Sequence, residues 1–222
     1  MQYLYHPDAG APHIALDGEA YRYLIKVRRH RTGEQVALRS GLDHQIHYYT
    51  IDSIEKRIAT LTLHDSEYLE ITAHKSLHIG WCIIDPKSIE KSLPALNEIG
   101  VERITFIDCA RSQKNFRPDF ARWEKILLNS SQQCGRSFPM VLERSGNVKE
   151  FVAANPEAYL LHFSDNKLDA SSPVGTVIIG CEGGFTNDEA SLVSSDRIIG
   201  FNTPMILRSE SAVVAVASHI LL

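Results

Sequence analysis

Apolar and polar positions alternate with a period of two along Gln45–Glu55 and Arg57–His64, as they do in strands buried on one face. Gln35–Leu38 reads as a further strand, entered through the turn Thr32-Gly33-Glu34 and left through Ser40-Gly41 and Asp43. Residues 1 to about 70, with Tyr21–Arg31 leading into that turn, are therefore expected to be β-rich, a small barrel or a strongly curved sheet. The segment 66–76 reads as a connector, which sets two domains, 1–70 and 71–222. Beyond it the pattern changes. Leu77–Ile84 is an apolar strand ending at Asp85-Pro86, and a helix follows to Gly100, placed as a C′ glycine. Pro94 is awkward inside that helix unless it restarts near Ser92 with the proline in its first turn. Val101–Asp108 is the next strand, and Phe120–Cys134 carries apolar residues at 120, 123, 126, 127 and 128, a helical stripe. Tyr159–Phe163, Thr176–Ile179 and Arg197–Phe201 read as further strands, and Ser209–Leu222 as a helix of small residues. Strand and helix alternate throughout, which predicts an α/β domain with a mostly parallel sheet.

Composition narrows this picture. A chain of 222 residues, 44% hydrophobic and 23% charged, has the make-up of a soluble globular protein rather than a disordered one. No apolar run approaches the roughly 20 residues a membrane span needs. Met1–Pro7 has neither a charged start nor an apolar core, so no secretory signal is expected. Cys82, Cys109, Cys134 and Cys181 are scattered with no CxxC pair, which argues against zinc and a disulfide framework and for a reducing cytoplasm. A net charge of −4 gives no global sign of nucleic-acid binding, so any such role needs a local patch. One exists: Lys26, Arg28, Arg29 and Arg31 put four cations into six positions, beside Tyr21, Tyr23 and His30. Such a run is either a solvated charged loop or a set of RNA phosphate contacts.

The stretch richest in chemistry is Thr176–Glu189. Its β-favouring start runs into Gly180, Gly183 and Gly184, then into Thr186 or Asn187 as helix cap with Asp188 and Glu189 in the first turn. Glycines there allow positive φ and bring bare backbone close to a ligand, and in an open α/β sheet ligands bind at the C-terminal ends of strands. The spacing matches neither the dinucleotide nor the triphosphate fingerprint. By itself it is equally a plain strand-to-helix turn.

Two segments together go further: Ile-Gly-Cys-Glu-Gly-Gly-Phe at 179–185 and Ile-Leu-Arg-Ser-Glu-Ser-Ala at 206–212. In order and spacing they resemble the RsmE family of SPOUT methyltransferases, which methylate N3 of a uridine in 16S ribosomal RNA. Asn97–Val101, Arg111-Ser112, Arg122–Ile126 and Cys134–Arg136 with Gln133 match as well, and Tyr23 to Gly33 is similar to the family's PUA-like RNA-binding domain. The chain departs from the family at Cys181, where proline is usual, at the glycine-poor Phe201–Met205, at Ser211 for threonine, and at Ala95 for lysine.

The resemblance implies a PUA-like β-barrel followed by a SPOUT α/β trefoil-knot domain, the exception to the rule that chains do not thread loops. It implies S-adenosylmethionine as cofactor, held by Leu161, His162, Phe163, Ile179, Gly180, Glu182, Gly183, Gly184, Gly200, Phe201, Ile206, Leu207 and Arg208. It further implies a homodimer through the knot, acting in the cytoplasm on 16S ribosomal RNA or the small ribosomal subunit, with no metal and no membrane. Methylating uridine N3 removes a proton and builds charge on O2 and O4, so a carboxylate and a cation are wanted. The candidates are Arg208 with Glu210 or Glu98, and Arg136; an ion pair of Arg208 and Glu210 that merely holds the knot is as good a reading. His162 is expected to be a wall residue, Trp123 packing, and Met140 and Met205 core filler. The rivals are another nucleotide or a ribose 2′-OH as target, and a non-catalytic RNA-binding assembly factor.

Overall fold

The computed structural model describes residues 3–113, 116–169 and 172–222. The chain divides into two compact units, residues 1–72 with 128–138, and residues 73–127 with 139–222.

The first unit is built on a five-stranded sheet of β1 (Leu4–Tyr5), β2 (His13–Leu16), β3 (Gln35–Arg39), β4 (Gln45–Ile54) and β5 (Ala59–Tyr68), in the order β1-β3-β4-β5-β2. All neighbours are antiparallel except β1 and β3, and two register shifts between β4 and β5 bend the longest pair. Leu16, Leu38, Tyr49, Ile51 and Leu61 are fully buried, the inward set of the alternating pattern. Tyr21–Arg31, counted above in the β-rich region, is instead largely helical. A short helix α1 (Gly18–Tyr21) runs straight into a π-helical turn over Arg22–Val27. Tyr21 and Leu24 are buried with the sheet's apolar residues, and Tyr21 donates its hydroxyl to the Glu55 carbonyl at 2.7 Å. Burial of that pair, spaced three apart, decides for helix over the aromatic residues' strand preference.

The second unit carries a six-stranded, all-parallel sheet of β6 (His78–Cys82), β7 (Arg103–Asp108), β8 (Val141–Asn147), β9 (Tyr159–Leu161), β10 (Thr176–Ile179) and β11 (Ile198–Ile199), ordered β11-β9-β10-β6-β7-β8. The central strands are covered on both faces, which is why β10 is buried at every position and reads as an unbroken apolar run. Helix α2 (Pro86–Ile99) is capped by Asp85, whose carboxylate accepts the N–H groups of Lys87 at 3.0 Å and Ser88 at 3.1 Å, and it ends at Gly100 with φ 108°. The helix does not restart near Ser92. It runs through Pro94, because Ile89, Leu93 and Leu96 are fully buried along one face and that packing outweighs one missing backbone bond.

Helix α3 (Phe120–Cys134) occupies the predicted span; Leu127 closes its share of the second unit and Leu128 opens its share of the first. Trp123 packs in the core against Phe106, ring centroids 5.2 Å apart, and Met140 is buried too. The strand β8 and the helix α4 (Val148–Ala154), capped by Asn147, gave no sequence signal. A single turn of helix, α5 (Asn187–Ala190), and the last helix α6 (Ser209–Leu221) complete the unit. No helix among the described residues is long and apolar enough to cross a membrane.

Candidate functional site

The chain reaches β9, then β10 on one side of it, and returns to β11 on the other, so the strand order reverses around β9. That is the switch point at which parallel sheets open a crevice beyond their carboxyl ends. A cavity of about 850 Å³ lies there. Three segments line it: Leu161–Asp165 with Lys167 after β9, Ile179–Phe185 after β10, and Gly200–Phe201 with Thr203–Ser209 after β11. Arg111 and Ala212 complete the wall.

Each segment is held by backbone chemistry. The first and third are zipped together, with His162 N–H donating to Ile199 O at 2.8 Å, Gly200 N–H to Asn166 O at 2.9 Å, and Leu168 N–H to Gly200 O at 2.9 Å. A β-carbon at Gly200 would stand 2.9 Å from the carbonyl oxygens of both His162 and Ser164, so only glycine fits the crossing. In the second segment Gly184 N–H closes a turn onto Cys181 O at 2.9 Å, and Gly184 takes φ 66°, which the lack of a side chain permits.

That glycine loop is then tied to its surroundings. Thr186 caps α5 in a reciprocal capping box with Glu189. Glu189 also accepts the Ala110 N–H at 2.7 Å. Arg111 Nη1 donates to Gly183 O at 2.6 Å and to Phe185 O at 3.3 Å. Ser209, at the start of α6, donates its hydroxyl to Gly180 O at 2.5 Å and accepts the indole N–H of Trp81 at 2.9 Å. The sequence offered no role for Arg111 beyond a motif match, and none for Ser209, because both act through carbonyls far along the chain.

All thirteen residues proposed above as a cofactor cradle line this one cavity. Of the four proposed catalytic residues, only Arg208 lines it. Glu210 is half-buried in the first turn of α6, and no ion pair joins it to Arg208 among the described residues. Glu98 lies exposed near the end of α2, and Arg136 is half-buried in the first unit. His162 is half-buried with its ring near Phe163 and edge-on to Phe185, at 5.4 and 6.2 Å between centroids. Met205 is not core filler. It is 71% exposed, and with Phe163 at 75% and Ile206 at 79% it puts apolar surface on the cavity lining.

The cysteines depart from the scattered picture. Cys82, Cys109 and Cys181 stand at the carboxyl ends of the neighbouring strands β6, β7 and β10, all buried, with the Cys109 and Cys181 sulfurs 3.4 Å apart. Cys109 is the most acidic of the three, because the thiols of Cys181 and Cys82 and the Ser112 hydroxyl direct donors at its sulfur. The hydrogen bond to Cys109, reinforced by burial, pushes both Cys181 and Cys82 up.

In the first unit, Lys26, Arg28, Arg29 and Arg31 are all exposed. Arg28 donates through Nε and Nη2 to the Tyr23 hydroxyl at 3.0 and 2.8 Å and lies over its ring, while Lys26 lies over Tyr21. Arg29 takes φ 62°, a conformation that costs a non-glycine residue energy.

Comparison with known proteins adds relatives to this geometry. The model of the RNA methyltransferase domain family matches residues 72–221. The chain is 39% identical to ribosomal RNA small subunit methyltransferase E of Helicobacter pylori strain J99, over 98% of each chain. To the protein of that name from Buchnera aphidicola it is 27% identical, over 91% of this chain and 85% of the other. Among solved structures, a Legionella pneumophila protein in complex with the bound cofactor SAM superposes with a TM-score of 0.81 at 24% identity, covering 97% of this chain and 95% of that one. A ribosomal RNA small subunit methyltransferase E from Neisseria gonorrhoeae bound to S-adenosyl methionine gives 0.80 at 21% identity, covering 98% and 95%.

Proposed function

Since the chain belongs to the ribosomal RNA small subunit methyltransferase E family, within the RNA methyltransferase domain family, we propose that it transfers a methyl group from S-adenosylmethionine to N3 of a uridine in 16S ribosomal RNA. The observation that carries the cofactor reading is the cavity itself. Residues from three neighbouring strand ends line one space, and at Gly184, where an added β-carbon would meet nothing within 4 Å, the loop leaves room for a ligand to approach the backbone.

The bound cofactor supplies an activated methyl group. The chain's own part is to hold it, to orient the uridine and to manage one proton. Backbone N–H and C=O groups of residues 161–163, 179–184, 200–201 and 206–208 hold the cofactor and exclude water. Arg208, at the N-cap of α6 with its side chain exposed, orients the base and steadies charge on its O2 and O4. Glu210, two residues further on in the first turn of α6, or Glu98 takes the N3 proton, with Arg136 as a further cation. The finer architecture belongs to the same proposal: a SPOUT trefoil knot with α6 as its threaded tail, a PUA-like first unit that contacts RNA phosphates through Lys26, Arg28, Arg29 and Arg31, and a homodimer through the knot domain. The exposed apolar residues Phe163, Met205 and Ile206 support that last point. Action on ribosomal RNA makes the cytoplasm its place.

Transfer of labelled methyl from S-adenosylmethionine to unmodified small subunits, with free 16S ribosomal RNA alongside, tests the reading. Label at N3 of one uridine is expected. Label at another nucleotide or at a ribose 2′-OH would overturn the target. A protein that neither labels RNA nor binds the cofactor would be an assembly factor instead.

A further inference from the structure

Cys181 stands in the glycine loop and lines the cavity, and Cys109 stands one residue past the end of β7. Their sulfurs are 3.4 Å apart, so about 1.4 Å of approach would bring them to disulfide length. The loop around Cys181 can give that distance, because Gly180 and Gly183 flank it and Gly184 already turns through positive φ. The two segments are also fastened across the same gap, by Ala110 to Glu189 and by Arg111 to Gly183, so the sulfurs are held close. Both residues are nearly but not wholly buried, Cys109 9% and Cys181 6% exposed, and Cys181, whose sulfur lies against that of Cys109, lines the cavity through which a small solute approaches the pair. Among the described residues no cluster of three metal-ligating side chains is arranged to hold an ion. Two thiols this close have oxidation chemistry open to them.

We propose that Cys109 and Cys181 are an oxidative modification site, closed to a disulfide by a hydroperoxide that enters through the cavity, and that the bond pulls the glycine loop out of its cofactor-binding shape. The second half rests on the reading of the cavity as a cofactor site; the first half does not.

The chemistry balances with hydrogen peroxide as oxidant. The Cys109 thiolate attacks one peroxide oxygen, the O–O bond breaks, and the departing hydroxide takes a proton to leave as water. Cys109 is then a sulfenic acid. The Cys181 sulfur attacks the Cys109 sulfur, the S–O bond breaks, and the thiol proton of Cys181 leaves with the hydroxide as a second water. Two thiols lose two electrons and two protons, and one peroxide becomes two waters. The donors around Cys109 that favour its thiolate suit it to the first attack.

The test uses the full-length reduced protein, titrated with hydrogen peroxide and read by peptide mass mapping and by S-adenosylmethionine titration calorimetry. A Cys109–Cys181 cross-link, reversed by dithiothreitol, is expected, with cofactor affinity lower by about tenfold or more in the oxidised form. Cofactor bound beforehand should slow the cross-link by filling the route. Cys109→Ser should bind cofactor as the reduced wild type does and lose no affinity on peroxide treatment; should that variant not fold, Cys181→Ala serves for the cross-link readout. Sulfinic or sulfonic acids without a cross-link, or a bond from Cys109 to Cys82, would overturn the proposal. A Cys109–Cys181 bond with unchanged affinity would overturn its second half. A bond in a protein whose reduced form binds no cofactor would uphold the thiol chemistry and sink the cavity reading.

Discussion

Gly200 sits where two backbones cross, with the carbonyls of His162 and Ser164 each 2.9 Å from any added β-carbon. Gly200→Ala must push the cavity's first and third segments apart, and backbone contacts of that kind do not relax as side chains do. We expect S-adenosylmethionine affinity to fall by about tenfold or more, read by calorimetry, with thermal stability falling alongside as overpacking costs typically ~1–3 kcal/mol. Arg208 and Glu210 pose the opposite question, since among the described residues neither takes part in an ion pair that would explain it structurally. Arg208→Ala and Glu210→Gln are expected to lower turnover by about a hundredfold while the protein stays folded, the scale on which a charge-stabilising donor or a general base acts. Unchanged turnover would return both residues to plain surface roles. The glycines of this loop were legible in the sequence, because a strand followed by three glycines and a capping threonine is a local pattern. Arg111 and Ser209 were not, because their partners, Gly183 O and Gly180 O, lie 72 and 29 residues away.

Helices show where local rules hold and where packing overrules them. Asp85 before Pro86 and Gly100 at the far end are local start and stop signals, and α2 obeys both. Pro94 is an equally local signal, and α2 ignores it, because its buried stripe continues on either side. Asp85→Ala should remove the two capping bonds to Lys87 and Ser88 and destabilise the second unit by about 1 kcal/mol in chemical denaturation, with cofactor affinity of the folded protein little changed. A loss below the error of the measurement would mean that water serves that helix end as well as the carboxylate. Tyr21–Arg31 makes the same point in the first unit: its aromatic and β-branched residues favour strand, yet the burial of Tyr21 and Leu24 selects helix. The strand β8 escaped detection for a related reason. Its seven residues include none that is buried, so no apolar run or alternation marked it, and only pairing with β7 defines it.

At the scale of the whole chain, net charge misleads and local charge matters. The molecule carries −4 overall, yet four exposed cations crowd into Lys26–Arg31. Replacing Lys26 and Arg31 by alanine should weaken RNA binding and flatten its dependence on salt by about one unit of slope per lost phosphate contact. An unchanged slope would make the segment a solvated loop; Arg28 is left in place because it also supports the Tyr23 ring. Periodicity and punctuation by themselves marked the glycine loop and, β8 and α4 apart, the alternating strands and helices of the second unit, since each such element is written in one short run of consecutive residues. Tertiary structure alone decided what those parts enclose. The reversal of strand order around β9 gathers residues 161, 180, 200 and 208 around one cavity. The same sheet sets Cys82, Cys109 and Cys181 side by side at the ends of adjacent strands. Spacing along the chain carries no trace of that meeting, because hydrogen-bonded register between strands distant in sequence, rather than any local preference, brings the three thiols together.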